Sequence, residues 1–306
     1  GRMLQPPLPN RSAPRVSTTL TARFKRYRES FRRNPAARNR AGIPEEKVKK
    51  MDQNQLLQIA LEQSARDYGC APGDFLRQDP VVILSEPHEG ARVYLPLPIA
   101  CSLVSYGNNV VAQTSEPLLD KVLAFLRRYP AEHCFETPNL YVLNDILAPY
   151  GQKLCFMGEY FLPDLSRLQE LPCSCRVKLL TPEDFAGLYL PQWSNALCEK
   201  RRERDVLAVG AYDGETLVGL AGASADCDSM YQIGIDVLPA YRRQGIASAL
   251  TSRLTLEILA LGKVPFYCAA WSNIRSVRNA LHCGFSPAWA EISSRSAAFI
   301  DQLNNE

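Results

Sequence analysis

The sequence predicts a mixed α/β (α+β) fold, a sheet flanked by helices over residues 166–306, preceded by a smaller α+β domain over 51–165. Three observations carry that prediction. Residues 231–237 alternate, with Tyr231, Ile233, Ile235 and Val237 on one face and Gln232, Gly234 and Asp236 on the other, which is the period of a strand. From Gly245 the period changes. Ile246, Leu250, Leu254 and Ile258 recur every fourth residue, with Ala249 and Leu261 beside them, as on an amphipathic helix. Elsewhere strand-like runs alternate with helical ones, and no apolar run approaches the roughly 20 residues of a membrane-spanning helix, so a membrane location is not expected.

Of the 306 residues, the first 50 hold 14 of the 35 Lys/Arg but only 3 of the 32 Asp/Glu. This basic, Pro- and Arg-rich stretch reads as a disordered arm, an organellar transit peptide, or sequence upstream of a natural start at Met51, where regular patterning begins. The overall formal charge of +3 therefore hides a remainder at −8, which gives no support for nucleic-acid binding. The ten cysteines are scattered, mostly in apolar runs such as those around Cys101, Cys155 and Cys268. That usage suggests reduced thiols in a cytoplasmic protein rather than a disulfide framework. Cys173-X-Cys175 has no second pair and no nearby His, so no metal is expected.

From Met51 a helix is expected through Leu56, Leu57, Ala60 and Leu61 towards Tyr68, stopped by Gly69. Strand-like runs follow at 81–84, 91–95, 99–104 and 109–113, with Glu89-Gly90 and Gly107-Asn108 as turns. Ser115-Glu116-Pro117 opens a helix to Tyr129 with Leu118, Val122, Phe125 and Leu126 on one face; a further helix covers 140–149 and a strand 153–162. Residues 163–175 form a polar, Pro-bearing linker. Then come a short strand, 177–180, and a helical region from Thr181, a cap followed by Pro182, to about Arg204. Asp213-Gly214-Glu215 joins strands 206–212 and 216–223 as a hairpin. After the strand at 231–237 and the long helix come a strand at 264–270, a helix closed by Gly284-Phe285, one strand at 288–293 and a helical tail at 296–303.

Pro239 ends the strand at 231–237, since it cannot donate to a ladder. Between that strand and the long helix lies Arg242-Arg243-Gln244-Gly245-Ile246-Ala247. A short basic turn opening a helix aims unpaired N–H groups and the positive end of the helix dipole at one point, and Gly245 allows close backbone approach. The chemistry that fits is capture of a pyrophosphate. Val237-X-Pro239-X-Tyr241-Arg242-X-X-Gly245-X-Ala247 resembles the acyl-CoA loop of the GNAT superfamily of N-acyltransferases, which reads Gln/Arg-X-X-Gly-X-Gly/Ala. A second match follows. Asn273 and Ser276, on a helix closed by Gly284-Phe285, resemble the superfamily's Asn-X-X-Ala/Ser…Gly-Phe segment. The order of elements from 177 onward is similar to the GNAT topology, except that a single strand stands where the family usually has a last hairpin, so that hairpin is missing or borrowed from the first domain. The first domain looks like a degenerate GNAT half, or an unrelated α+β cap, because Ala112-Gln113-Thr114-Ser115 has neither a Gly-rich loop nor a basic cluster. The resemblance points to a two-domain, bacterial-type member.

The resemblance implies an N-acetyltransferase in which an amine attacks acetyl-CoA, the co-substrate, directly in a ternary complex. The acceptor is expected to be a small-molecule or protein amine. On the family pattern Arg242, Arg243, Gln244, Gly245, Ile246, Ala247 and Ser248 hold the pyrophosphate, the Val237 backbone meets the pantetheine, and Asn273 reaches the cofactor from the neighbouring strand end. The reaction also needs a base and a proton source for the leaving thiolate. The family often places a Tyr seven residues after the Asn, where this chain has Ala280; His282, two residues on, faces away. Tyr231 and Tyr267 are the candidate donors, and Asp226, with Asp228 and Glu199, is the candidate base. Without that Tyr, a non-catalytic acyl-CoA-binding module is the alternative.

Overall fold

The computed structural model describes residues 51–305; the readings made for residues 1–50 lie outside the described residues. Helix α1 (Gln53–Tyr68) begins where the Asp52 carboxylate accepts the Gln55 N–H and ends at left-handed Gly69. The first half adds β1 (Val81–Leu84), β2 (Cys101–Ser105), β3 (Val111–Thr114), α2 (Leu119–Arg128), α3 (Thr137–Leu147) and β4 (Gln152–Pro163). The second half supplies β5 (Arg176–Leu180), α4 (Pro182–Phe185), β6 (Asp205–Asp213), β7 (Thr216–Ser224), β8 (Met230–Val237), α5 (Ile246–Ala260), β9 (Val264–Ala269), α6 (Ile274–His282), β10 (Phe285–Ser296) and α7 (Ala297–Asn305).

All ten strands join one mixed sheet in the order β1-β3-β2-β10-β4-β9-β8-β7-β6-β5. The two halves interleave within it. β10 lies between β2 and β4, and β4 lies between β10 and β9, both antiparallel. The place beside β9 that a terminal hairpin would fill is thus taken by a strand from the first half. Among the described residues, only β1–β3 and β8–β9 are parallel pairs.

Burial follows the period of two. One face of the central strands presents Tyr160, Phe266, Cys268, Met230 and Trp289, packed under Leu56, Ala60 and Tyr68 of α1. The other presents Leu103, Ala112 and Ile292 to Val122 and Phe125 of α2 and Leu143 of α3. α5 packs against β7 and β8 on this second face, with α6 beside it. A Cβ on Gly219 would come within 2.8 Å of Ile246, so the glycine sets how closely α5 lies on β7.

Two expected elements do not form. Residues 91–95 are not a strand: Arg92 is buried in an ion pair with Asp67 of α1, and the Val93 N–H bonds the Asp226 carbonyl. The segment crosses the sheet face as a strap. The helical region expected over 181–204 is broken into short turns, because Asp236 of β8 captures the N–H groups of Asn195 and Ala196 and bends the chain onto the sheet.

Candidate active site

β8 is paired on both edges for only part of its length. Its antiparallel ladder with β7 runs from Gln232 to Val237, but the parallel ladder with β9 stops at Ile233↔Tyr267. Beyond that rung β8 continues to Val237 and β9 to Ala269, so the strands part in a V. The backbone groups of 234–237 that face β9 are left without a ladder partner, an edge on which an extended amide-bearing chain could pair.

Two residues fix what lies against β8 beside this opening. Asp236 accepts from the Asn195 N–H (2.8 Å), the Asn195 Nδ2 (2.6 Å) and the Ala196 N–H (2.9 Å), which holds segment 193–197 against one flank of β8. Gly222, across the ladder, lets that segment lie flat, since a Cβ there would stand 2.0 Å from the Ala196 carbonyl oxygen. Neither residue stood out in the sequence: Asp236 is one step of the alternating strand 231–237, and Gly222 lies unmarked in the strand 216–223.

Above the V, residues 239–241 form a single turn closed by Tyr241, whose hydroxyl donates to Asp213 at 2.8 Å. The loop then takes two left-handed residues, Arg243 (φ 62°) and Gly245 (φ 78°), before α5 starts. Left-handed residues alternating with ordinary ones turn successive N–H groups toward one concave side, the geometry of an anion nest. The Ala249 N–H makes the first bond of α5, to Gly245, so the N–H groups before it have no intrahelical acceptor. Nothing lies within 4 Å of where a Gly245 Cβ would stand, so this glycine is there for its backbone and the nest is open. A diphosphate of the acyl-CoA type fits these donors, the helix end and the exposed Arg242, Arg243 and Gln244.

The structure gathers most of the residues singled out in the sequence. Residues 242–248 form the nest, and Val237 ends the free edge below it. Arg242 Nε donates to the Val237 carbonyl at 3.1 Å, so this guanidinium ties the loop to the strand end. Asn273 caps α6, accepting the Ser276 N–H at 3.3 Å, with its amide nitrogen not used by that bond. Ser248, in the first turn of α5, and Asn279, in the later half of α6, are hydrogen-bonded at 2.9 Å, which ties the start of α5 to α6.

The three proton-transfer candidates separate. Tyr267 stands on the last paired rung, at the apex of the V, and its hydroxyl lies 2.8 Å from Ser276 Oγ. Burial raises its pKa, so the phenol stays protonated. Tyr231 pairs with Pro265 near the start of β8, under Lys263 and some six residues below Val237, and burial pushes its phenol up to about 12. It belongs to the closed end. Asp226 precedes β8, is 2% exposed and accepts from Arg201 Nε at 3.0 Å. A carboxylate paired there cannot meet an acceptor at the V. Ala280, where the family often carries a Tyr, is fully buried.

The acetyltransferase (GNAT) family matches residues 167–285, the stretch that contains the V, the nest and α6. Residues 167–285 thus carry the pattern of a GNAT domain. A GNAT-family acetyltransferase from Novosphingobium aromaticivorans is 18% identical, covering 47% of this chain and 66% of that one, with a TM-score of 0.37. A GCN5-related N-acetyltransferase-like protein from Streptococcus suis is 21% identical over 52% and 69% of the two chains, TM-score 0.38. A Drosophila protein is 12% identical over 81% and 91%, TM-score 0.39. The chain thus spans about two thirds of the length of the two bacterial GNAT structures. No curated protein matches it. Among the described residues, no helix is long and apolar enough to cross a membrane.

Proposed function

We propose that this chain is a cytoplasmic N-acetyltransferase that moves the acetyl group of acetyl-CoA directly to an amine in a ternary complex. One observation carries the reading: the β8–β9 ladder opens directly below a left-handed, basic, solvent-open nest at a helix start. The nest takes the diphosphate, and the free edge of 234–237 pairs with the pantetheine amides. That places the thioester in the V. The amine attacks the carbonyl carbon, the C–N bond forms as the C–S bond breaks, and the thiolate takes up the proton that the nitrogen gives away. Tyr267, protonated and linked to Ser276, is the donor nearest the V, reached from a strand rather than from the position of Ala280.

Cys268 also lies on β9 beside the V, but burial pushes its thiol up to about 12. It is a poor nucleophile at neutral pH, which favours direct attack over an acyl-cysteine relay. The acceptor is an amine, on a small molecule or on a protein.

The test is thiol release from acetyl-CoA across a panel of primary amines. Turnover above the hydrolysis rate is expected with at least one of them. The buried Ala280 favours a second reading, a non-catalytic acyl-CoA-binding module. Tight CoA binding with no acceptor-dependent release would establish that module in place of the enzyme.

A further inference from the structure

Acyl transfer leaves one sequence motif unused, Cys173-X-Cys175, at the end of the segment that joins β4 to β5. Residues 170 and 171 are tied to the flank of α5. The Leu171 N–H donates to the Ser252 hydroxyl at 3.0 Å, and Glu170 pairs with Arg253 at 2.9 Å. At Arg176 the chain enters β5 and its ladder with β6, opposite Tyr212. The motif thus lies between two anchored points, and the chain bends at Ser174 and Cys175 in joining them. In a straight strand, residues two apart point the same way with their Cα atoms about 6.6 Å apart, close to the longest span a disulfide bridges. A bend shortens that separation. Here the Cys173 sulfur faces both the thiol and the backbone N–H of Cys175. Both side chains are half-buried and open into a cavity of about 410 Å³, walled also by Glu170, Val177, Ala249 and Arg253.

The other eight cysteines differ in kind. Cys101, Cys134, Cys227, Cys268 and Cys283 are buried, and burial pushes the thiols of Cys101, Cys268 and Cys283 up to about 12. A thiolate, not a thiol, attacks a disulfide, so these three are inert near neutral pH. Cys70, Cys155 and Cys198 are half-buried but stand on three separate segments of the fold. Metal binding is the other chemistry that paired thiols allow. A tetrahedral site needs two further ligands, and the carboxylate in this cavity wall, Glu170, is already held by Arg253. A bridge between residues two apart closes a very short loop, so it constrains the unfolded chain little and adds little stability. Strained or exposed bridges are also the readily reduced ones, which suits a reversible site rather than a structural cross-link.

We propose that Cys173 and Cys175 form a reversible thiol–disulfide exchange site, which low-molecular-weight disulfides reach through this cavity. The site is independent of acyl transfer. In the first step one cysteine thiolate attacks the incoming disulfide, forming a mixed disulfide and expelling one small thiol. The second cysteine thiolate then attacks the protein sulfur of that bond, closing Cys173–Cys175 and expelling the other small thiol. Each cysteine sulfur gives up one electron, the small disulfide takes both, and the two thiol protons end on the released thiols. Burial raises the Cys173 thiol, so the exchange quickens as the pH climbs above neutrality.

The test incubates the folded full chain with excess glutathione disulfide at pH 8 and follows intact mass and peptide maps. The parent is expected to lose two hydrogens on the peptide that carries both cysteines, at least about tenfold faster than any other cysteine gains a glutathione. Dithiothreitol should restore the starting mass. Cys173→Ser and Cys175→Ser each remove one partner, so each variant should instead keep a single glutathione on the cysteine that remains. A parent that ends with glutathione on either cysteine and no bridge would overturn the proposal, because the second thiol then fails to close it. So would a pair that stays reduced, or one outpaced by any of the other eight cysteines. Neither readout involves acetyl-CoA, so a failure here leaves the acyl-transfer reading standing, and a failure of that reading leaves this site standing.

Discussion

Two strand-to-helix junctions in this chain look alike in outline and differ in what they can do. β3 leads into α2 as β8 leads into α5, and each strand has one parallel and one antiparallel neighbour. At the first junction every residue of β3 is matched with β1, from Val81↔Val111 to Leu84↔Thr114. The chain then turns through Ser115-Glu116-Pro117 straight into α2, with acidic Glu116 and Asp120 at the start and Leu118 buried. No left-handed residue occurs between 111 and 119. At the second junction the parallel ladder stops early and the loop carries Arg242, Arg243 and two left-handed positions. A helix start by itself is therefore not an anion site here. The site needs a released strand edge and a loop that turns its N–H groups to one side.

Breaking the released edge should give the largest effect. Asp236→Ala removes the acceptor of three hydrogen bonds and leaves the Asn195 and Ala196 N–H groups unpaired. A loss of about 3 kcal/mol is expected in urea denaturation. A loss below about 1 kcal/mol would show that segment 193–197 holds its place without β8. Next comes the nest. Gly245→Val forces a β-branched residue to φ 78°, at about 1–3 kcal/mol, so CoA affinity by calorimetry should drop by roughly 10- to 100-fold. Ser115→Gly at the silent junction should leave CoA affinity unchanged, and a change there would erase the contrast.

Charge contributes less than shape. The double substitution Arg242→Ala, Arg243→Ala removes two exposed cations, one of which also braces the Val237 carbonyl. It should weaken CoA binding by about 1 kcal/mol, with a shallower salt dependence than the parent. The smallest expected effect is none. The thiols of Cys268 and Cys283 are raised by burial to about 12, so both stay protonated until the pH approaches that value. Iodoacetamide at pH 8 should leave acetyl transfer intact, and rapid inactivation protected by CoA would reopen a role for Cys268.

The sequence showed the second junction well and the rest of the site poorly, for a physical reason. The strand 231–237, the break at Pro239, the turn at Gly245 and the helix after it are written in local periodicity and in residues with special backbones. The strap at 91–95 alternates like a strand, but Arg92 is drawn inward by Asp67, 25 positions earlier, and local pattern carries no trace of such a partner. Residues 181–204 carry a helix start, yet hydrogen bonds donated to Asp236, about 40 positions later, decide their course. The insertion of β4 beside β9 depends on pairings such as Tyr160↔Cys268, more than 100 residues apart. Tyr231, Tyr267 and Asp226 looked equivalent as candidates, and only the register separates the closed end of β8 from the open one.

The contrast between the two junctions can be measured directly by hydrogen–deuterium exchange with and without saturating acetyl-CoA. Amides in the free edge 234–237 and the nest 243–248 are expected to slow by at least about tenfold, because ligand pairing removes their access to water. Those of 111–119 should exchange at the same rate in both samples. Protection centred on 111–119, or none at 234–237 and 243–248, would contradict the account.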